Sequence, residues 1–415
     1  MSSIAVIGSG IAGLTSAWLL SRRHRVTLFE ANDYLGGHTA TVDVTLNGRR
    51  HAVDTGFIVF NDRTYPRFQR LLARAGVEAR PTEMSFSVQQ GTTGLEYNGH
   101  TLNTLFAQRS NLVNGRFYGF LLEIVRFNLL CKRALKDNTL TEQDTLGGFL
   151  ARQGFSDFFA GHYVLPMVAA IWSSSLADSR DFPLAFFLRF FNHHGLLNLV
   201  DRPQWYVVQG GSRSYIPALV QGVQEVRLNS PVQSVRRLEK GAAITTAAGT
   251  ETFDEVIMAC HSDQALAMLD DATAAEREVL GGLAYRDNEV VLHTDTRLLP
   301  AERRAWASWN YYLEGGEQAL PAVTYNMNIL QGIESDDTLC VTLNRTDAID
   351  PARILRRFRY AHPVYNHAAI ASQARRGEIC GRNHTHFCGA YWYNGFHEDG
   401  VRSSLDVCER FGAGL

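Results

Sequence analysis

The chain has 415 residues, 45% of them hydrophobic and 20% charged, with a formal net charge of −2. That length exceeds one ordinary core and predicts two globular domains, and the near-neutral charge gives no reason to expect nucleic acid as a partner. Six cysteines (Cys131, Cys260, Cys340, Cys380, Cys388 and Cys408) lack C-x-x-C spacing, which predicts reduced thiols in the cytosol rather than a disulfide frame.

The first four apolar residues, Ile4 to Ile7, read as a buried parallel strand. Gly8-Ser9-Gly10-Ile11-Ala12-Gly13 follows and fits G-x-G-x-x-G, and Ile11 to Arg22 continues as a helix. In this pattern Gly8 allows the tight turn, Gly10 lets a pyrophosphate approach the backbone, and Gly13 brings helix and strand together. The helix N-terminus adds unpaired N–H groups and a positive dipole end. A second strand, Val26 to Phe29, ends in Glu30, placed to accept hydrogen bonds from both ribose hydroxyls of an adenosine, with Ala31 beside it. Because the chain enters its first strand at once, no signal peptide is expected. No apolar run of ~18–20 residues occurs, and the nearest, Phe182 to Val200, is interrupted by Arg189, Asn192, His193 and His194.

Next come the glycine pair Gly36-Gly37 with His38, suited to a backbone passing close to a ligand. A hairpin is expected over 41–54 around Asn47-Gly48, closing on Asp54-Thr55-Gly56-Phe57. Tyr65 to Ala75 has a helical pattern that stops at Gly76. Met84–Val88 and Gly94–Tyr97 read as paired strands. Helices are then predicted over Arg116–Lys136, Thr145–Gln153, Phe155–Ile171 and Pro183–Leu199.

Nucleotide-domain character returns at Trp205, with Gly210-Gly211 before a helix over Ser214–Gln221, a strand–turn–strand over 226–235, and a buried strand at Glu255–Cys260. From Asn288 alternating strands resume, and Thr385–Gly389 with Gly395 to Gly400 leads into a last helix over Val401–Arg410. The expected fold is therefore α/β. A doubly wound, Rossmann-like nucleotide-binding domain (1–78, 205–285 and 380–415) is interrupted by an α+β substrate domain (79–204 and 286–379).

These motifs, in this order and over essentially the whole length, resemble the flavin-dependent amine oxidoreductase superfamily. The nearest branch is similar to the flavin domain fused to plant cyclopropane fatty-acid synthases. The resemblance implies noncovalent FAD, with Gly8, Gly10, Gly13 and Glu30 on its ADP half. It places Gly36 and Gly37 along the pyrophosphate and ribityl chain, where the family usually has arginines and this chain has Tyr34 and His38. Thr55, Gly56 and Phe57 would pass beside the isoalloxazine, and Val232 would touch adenine. Gly389, Gly395, Glu398, Asp399 and Gly400 match the closing motif, where a helix N-terminus faces the flavin pyrimidine and steadies charge on the reduced ring.

Amine oxidases of the family generally place a lysine near flavin N5, in the strand that here reads Asp287-Asn288-Glu289-Val290-Val291. The chain has only Lys132, Lys136 and Lys240, none of them near that stretch in sequence. The lipid-related relatives and the apolar inserted helices point instead to oxidation of a lipid acyl chain. An amine or small-molecule oxidase is the alternative. A further one is a non-catalytic flavoprotein partnering a lipid-modifying methyltransferase.

Phe182 to Phe191 reads equally as an acyl tunnel, a face dipping into the membrane, or ordinary core, and core packing is favoured for Phe117 to Leu130. Tyr391-Trp392-Tyr393 is expected to wall the substrate cavity. His194, His162 and Tyr391 are the candidates for a base. His193-His194 and His384-x-His386 lack the carboxylate spacing of a metal site, so none is expected. Cys388 reads as a small buried thiol, and Arg213 as facing the cavity.

Overall fold

The computed structural model describes every residue except 92, 199 and 314–317. Its organising layer is a parallel sheet of five strands, in the spatial order Glu225–Arg227, Arg25–Phe29, Ser3–Ile7, Glu255–Met258 and Thr385–Phe387. Numbered along the chain that order is 3-2-1-4-5, the doubly wound arrangement, with its crevice beyond the carboxyl ends of the central strands. The helix Ile11–Leu20 is apolar but for Thr15 and Ser16, and buried at every position. It lies between this sheet and the closing helix His397–Cys408, and a helix without a polar face suits that double burial.

A second sheet has seven strands. Ile354–Pro363, Tyr285–His293, Cys340–Leu343, Ala322–Asn326 and Trp309–Leu313 run antiparallel to one another, followed by Phe86–Gln90 and Glu96–Asn98. Phe86–Gln90 pairs with Trp309–Leu313, more than two hundred positions away, so the helical region between them hangs from one continuous sheet. Strand Trp205–Val208 joins Val59–Asn61 to Ala79–Thr82, so residues 79–82 pair with a segment of the nucleotide-binding half. The hairpin Thr41–Leu46 and Arg49–Asp54 turns on Asn47 and Gly48, both at positive φ, as its Asn-Gly pair predicts.

The helical region departs from the predicted pattern at two points. Phe155–Ile171 is not one helix. A short helix, Asp157–Phe159, widens into a π turn over Ala160–Val164 and resumes as Leu165–Trp172, with Pro166 in its first turn. Proline lacks an N–H for the ladder and fits only such a start. The helix expected over 183–199 spans Leu184–His193 and stops where Gly195 takes φ +68°; its expected end, Leu199, lies outside the described residues. The closing helix begins at His397, four residues before the expected Val401, so Glu398, Asp399 and Gly400 lie in its first turn.

Phe182, Phe186, Phe187, Phe190 and Phe191 are all buried in one aromatic core with Phe117, Phe120, Phe127 and Phe159. Their burial speaks against a face dipping into a membrane. No helix among the described residues is long and apolar enough to cross a membrane.

One buried ion pair ties the antiparallel sheet 234–253 to helix Ala274–Gly281. Arg237 donates through Nη1 and Nη2 to Glu276 at 3.1 and 2.9 Å, with the two side chains 6% and 2% exposed. Glu276 also accepts the backbone N–H of Thr273, completing a capping box. Removing one partner strands a buried charge, so Arg237→Met is expected to cost about 3–5 kcal/mol, whereas the double replacement Arg237→Met/Glu276→Leu recovers most of it. Thermal and urea unfolding of the two variants beside the parent protein checks this.

Candidate functional site

At the end of strand Ser3–Ile7 the three motif glycines do different things. Gly8 has φ +99°, and a Cβ there would press on the carbonyl of Ala259. A Cβ on Gly13 would overlap the carbonyl oxygen of Gly8. The fold itself requires both. Gly10 is different: its φ of −61° and ψ of 175° suit any residue, and a Cβ there would meet nothing within 4 Å. The chain's own packing gives no reason for glycine at this position, which points to a group outside the chain that approaches the backbone.

The helix that follows has no side-chain cap and no acidic residue in its first turn, so its N–H groups and dipole face the same point. Glu30, at the end of the neighbouring strand and buried, reaches back to accept the Ser9 N–H at 3.0 Å and also the Ser9 hydroxyl. Its other oxygen accepts the Asn32 N–H at 3.0 Å and the Asn32 amide at 2.9 Å. Ser230 N–H donates to the Glu30 carbonyl and Asn229 N–H to the Asn32 carbonyl, each at 2.9 Å. These bonds dock the turn carrying half-buried Val232 beside Glu30 and exposed Ala31.

Gly36 N–H donates to Ser9 Oγ at 3.1 Å, and a Cβ on Gly37 would lie 3.4 Å from Gly10 Cα, so the second glycine segment rests on the first. The third is laced to it as well: Phe57 N–H donates to the His38 carbonyl at 2.7 Å and Thr55 N–H to the Ala40 carbonyl at 2.9 Å. Beneath them Asp54 is fully buried, accepting the Thr41 hydroxyl at 2.6 Å, Ser212 N–H at 2.9 Å and the Gln331 amide at 3.1 Å. Burial pushes its carboxyl up to about 6. Arg213 points to the carboxylate of Asp43, at 2.6 Å.

The closing helix completes this wall. The Phe57 ring stacks on His397 with centroids 3.5 Å apart, and His397 Nε2 lies 3.1 Å from Thr39 Oγ1 and 3.0 Å from the Tyr215 hydroxyl. Glu398 turns away to cap helix Pro66–Ala75, accepting Arg67 N–H at 3.0 Å, Phe68 N–H at 2.9 Å and the Arg67 guanidinium at 3.1 Å. Asp399 accepts the Phe396 N–H at 3.0 Å, and burial raises its carboxyl to about 7. Gly400 lies against Ile11, which sets the closing helix beside the start of the first one. Gly389 packs under the Tyr391 ring, and Gly395, at φ +96°, faces the Tyr365 hydroxyl.

Next to this wall lies a group of which the sequence motifs single out only His38. His38, His261 and His362 gather with ring centroids 5.9 Å (His38–His261) and 5.5 Å (His38–His362) apart, and Tyr360 lies 5.2 Å from His38. Lost hydration, with repulsion from neighbouring imidazoles, pushes His38 down to about 3 and His362 to about 4, and burial alone lowers His261 against the pull of Asp263 and Asp287. Among the described residues no group of three His, Cys, Asp or Glu side chains is arranged to hold a metal ion. His38 Nε2 is buried without a hydrogen-bond partner. His362 Nδ1 lies 2.8 Å from Ser173 Oγ and accepts the Asn288 amide at 3.3 Å. Asn288 is the inward-facing residue of the strand where the family's lysine would be sought, and Asn344 donates to its oxygen at 2.8 Å. These residues are remote in sequence, and only the strand pairing of 285–293 with 354–363 brings Asn288 and His362 together.

The three candidates for a base do not converge. Tyr391 is buried beside Tyr285 and Trp392, its hydroxyl without a partner among the described residues and its pKa well above the usual phenol value. His194 donates from Nδ1 to the Phe190 carbonyl at 3.0 Å, and its ring lies 6.0 Å from Phe396 at the start of the closing helix. His162 lies in the π turn, between the Phe158 carbonyl at 2.8 Å and Gln90 Oε1 at 2.5 Å. Of the paired histidines, His384 and His386, before and on the edge strand of the parallel sheet, both meet Glu255 of the neighbouring strand. Cys388 is fully buried.

The residues present fit FAD. Gly10 is open, an uncapped helix end faces it, Glu30 stands where a ribose would lie, and His38 has an unpartnered nitrogen. The model of the family described as flavin containing amine oxidoreductase matches residues 11–312. None of the curated proteins matches the sequence. Solved structures similar to it include a CLA-producing fatty acid isomerase from P. acnes, with a TM-score of 0.71 at 16% identity over 99% of this chain and 98% of that one. Cyclohexylamine oxidase from Brevibacterium oxydans IH-35A gives 0.69 at 14% identity over 99% of both chains. Putrescine oxidase bound to putrescine gives 0.67 at 14% identity, over 99% of this chain and 98% of that one. At such identities the likeness is one of fold.

Gly10→Ala separates ligand from fold. Its backbone angles suit alanine, so the flavin-free protein is expected to change stability by no more than about 1 kcal/mol. FAD affinity is expected to fall at least ~tenfold, because the methyl group occupies the pyrophosphate's path. Thermal unfolding of flavin-stripped protein and fluorescence titration with FAD measure the two effects.

Proposed function

The chain belongs to the flavin containing amine oxidoreductase family, matched over residues 11–312, and from that premise we propose that it oxidises a lipid acyl chain. It is an FAD-dependent oxidoreductase. When bound, FAD supplies the two-electron acceptor, taking up a hydride from a substrate carbon. Loss of a proton from the neighbouring carbon then leaves an alkene, and the protein must position the chain, exclude water and receive that proton.

The observation that carries the acyl-chain reading is the character of the two walls. On one side Asn288, not a lysine, faces inward, and Lys132, Lys136 and Lys240 are all on the surface. On the other the phenylalanine core runs up to the closing helix: Phe190 stacks on Phe396 at 5.2 Å, and Phe186 on Tyr365 at 5.2 Å. No lysine among the described residues stands here to hold water for amine oxidation, whereas an apolar chain gains from burial along these rings. That one structural neighbour is a fatty acid isomerase is consistent with this, at the level of fold.

For the proton, the reading favours His362. It is neutral at pH 7, and its Nδ1 lies 2.8 Å from Ser173 Oγ; on taking up the proton, Nδ1 gives up the long Asn288 contact and donates to the Ser173 hydroxyl, which rotates from donor to acceptor. Asn288 fixes the ring's orientation.

Anaerobic mixing of the purified holoenzyme with phospholipid and fatty-acid extracts is expected to bleach the oxidised flavin band, while polyamines and aromatic amines leave it unchanged. Bleaching by amines alone would overturn the acyl-chain reading. With the active lipid in hand, His362→Gln is expected to slow flavin reduction by about 10²–10⁴-fold without loss of bound flavin. Stopped-flow traces beside the flavin absorbance decide it, and an unchanged rate removes His362 from the proton path.

A further inference from the structure

The longest helix, Gly115–Lys136, has two faces of the same character and only one of them is covered. Phe117, Phe120, Phe127 and Cys131 are buried in the aromatic core. On the opposite side Tyr118, Leu122, Val125 and Leu129 are exposed, Leu122 by 70% and Leu129 by 65%. At 100° per residue these four fall within roughly 60° of arc, one ridge along the helix. The ridge continues past the N-terminus: Tyr118 donates to the Leu112 carbonyl at 3.1 Å, and Leu112 and Val113 are themselves exposed, Val113 by 90%. A contiguous apolar surface of this kind is uncommon on a monomeric protein and marks an interaction site.

Charge says what covers it. The helix carries Arg116, Arg126, Lys132, Arg133 and Lys136 against a single acidic residue, Glu123, in a chain whose overall charge is slightly negative. Two of the protein's three lysines are here: Lys136 falls on the arc of the ridge two turns beyond Leu129, and Lys132 at its border one turn beyond. Neither makes an ion pair with a described residue, and Glu123 is engaged by the Ser156 N–H and hydroxyl at 2.8 and 2.6 Å. Arg126 lies over the ring of Phe155 at 4.6 Å, on the flank of the ridge, and Arg116 over that of Phe158 at 4.2 Å, farther round the helix. Exposed aliphatic side chains framed by cations on a helix lying along the protein surface match the boundary of a bilayer that bears anionic headgroups.

We propose that this face of Gly115–Lys136, with Leu112 and Val113, docks the protein on an anionic lipid surface. The leucines enter the acyl boundary and the lysines lie at headgroup level. The inner rings of the same helix belong to the core that reaches Phe396, so docking would set that core against the bilayer. The docking itself rests on the exposed face and not on the identity of the substrate, and it is read without turnover.

The test is flotation of the holoenzyme with vesicles of equal parts phosphatidylcholine and phosphatidylglycerol, beside vesicles of phosphatidylcholine alone. The expected result is binding to the mixed vesicles at least ~tenfold stronger than to the neutral ones, weakening as salt is raised. Leu122→Glu/Leu129→Glu and, separately, Lys132→Glu/Lys136→Glu are each expected to reduce it at least ~tenfold while retaining bound FAD and the parental unfolding midpoint, because these side chains are exposed. Failure of the parent protein to float with the mixed vesicles overturns the proposal. So does light scattering that finds a dimer which the leucine pair dissociates, since the face would then be an interface between two copies.

Discussion

The carbonyl oxygen of Gly8 stands where a Cβ on Gly13 would be, and the rest of the site depends on that backbone approach. It fixes the helix Ile11–Leu20 against the first strand, so the uncapped end of the helix and the open backbone of Gly10 face one point. The second glycine segment, Asp54–Phe57 and 229–232 are each referred to that point by a backbone N–H. Gly36 is tied to Ser9, Phe57 to His38, and Ser230 to Glu30. None of these is strong alone, but backbone bonds between buried segments leave little freedom of register. A cofactor held by such contacts needs few charged side chains, and the wall around Gly10 has few.

The parts of this arrangement legible in the sequence are those whose signal is local. The glycine spacing, the acid twenty positions after Gly10, the Asn-Gly hairpin and the stop at Gly76 each follow from the conformation that a short run of residues can adopt. The closing helix was legible as a helix but not in its start. Gly400 and Gly395 read as loop glycines, yet Gly400 lies in the helix, where it is glycine because Ile11 leaves no room for a side chain. The break near His162 was hidden for the opposite reason: the apolar periodicity runs on through the π turn, and only Pro166 marks it. The imidazole cluster had no local signal at all. His38, His261 and His362 come from three separate elements, and the pairing of strand 285–293 with 354–363, which no periodicity fixes, sets the last of them in place.

The phenylalanine-rich segments show how far composition can mislead about surface. Phe182 to Phe191 is more apolar than Gly115–Lys136, yet it is the buried one, packed on both sides by Trp172 and by its own neighbours. The exposed face belongs to the helix with more charge. That is the expected outcome when apolar residues occupy more of a helix's circumference than one core can cover. The charges then frame the uncovered strip, and a count of hydrophobic residues alone does not reveal it.

The first turn of the closing helix raises an electrostatic difficulty that the structure resolves. An N-terminus facing an electron-rich ring is useful only if its positive end is not cancelled, and here two carboxyl groups, Glu398 and Asp399, lie within it. Glu398 is turned outward, where the Arg67 guanidinium and two backbone N–H groups of helix Pro66–Ala75 meet its charge. Asp399 is kept near half-protonated at neutral pH, because burial lifts it to about 7. His397, between Thr39 and Tyr215 and pressed on Phe57, stays neutral and adds no competing charge. Much of the negative charge that the sequence places at this helix end is thereby matched or protonated, and the dipole retains its hold on the space beside Phe57. Three consecutive side chains act together here: one joins two helices, one caps its own helix, and one seats the wall.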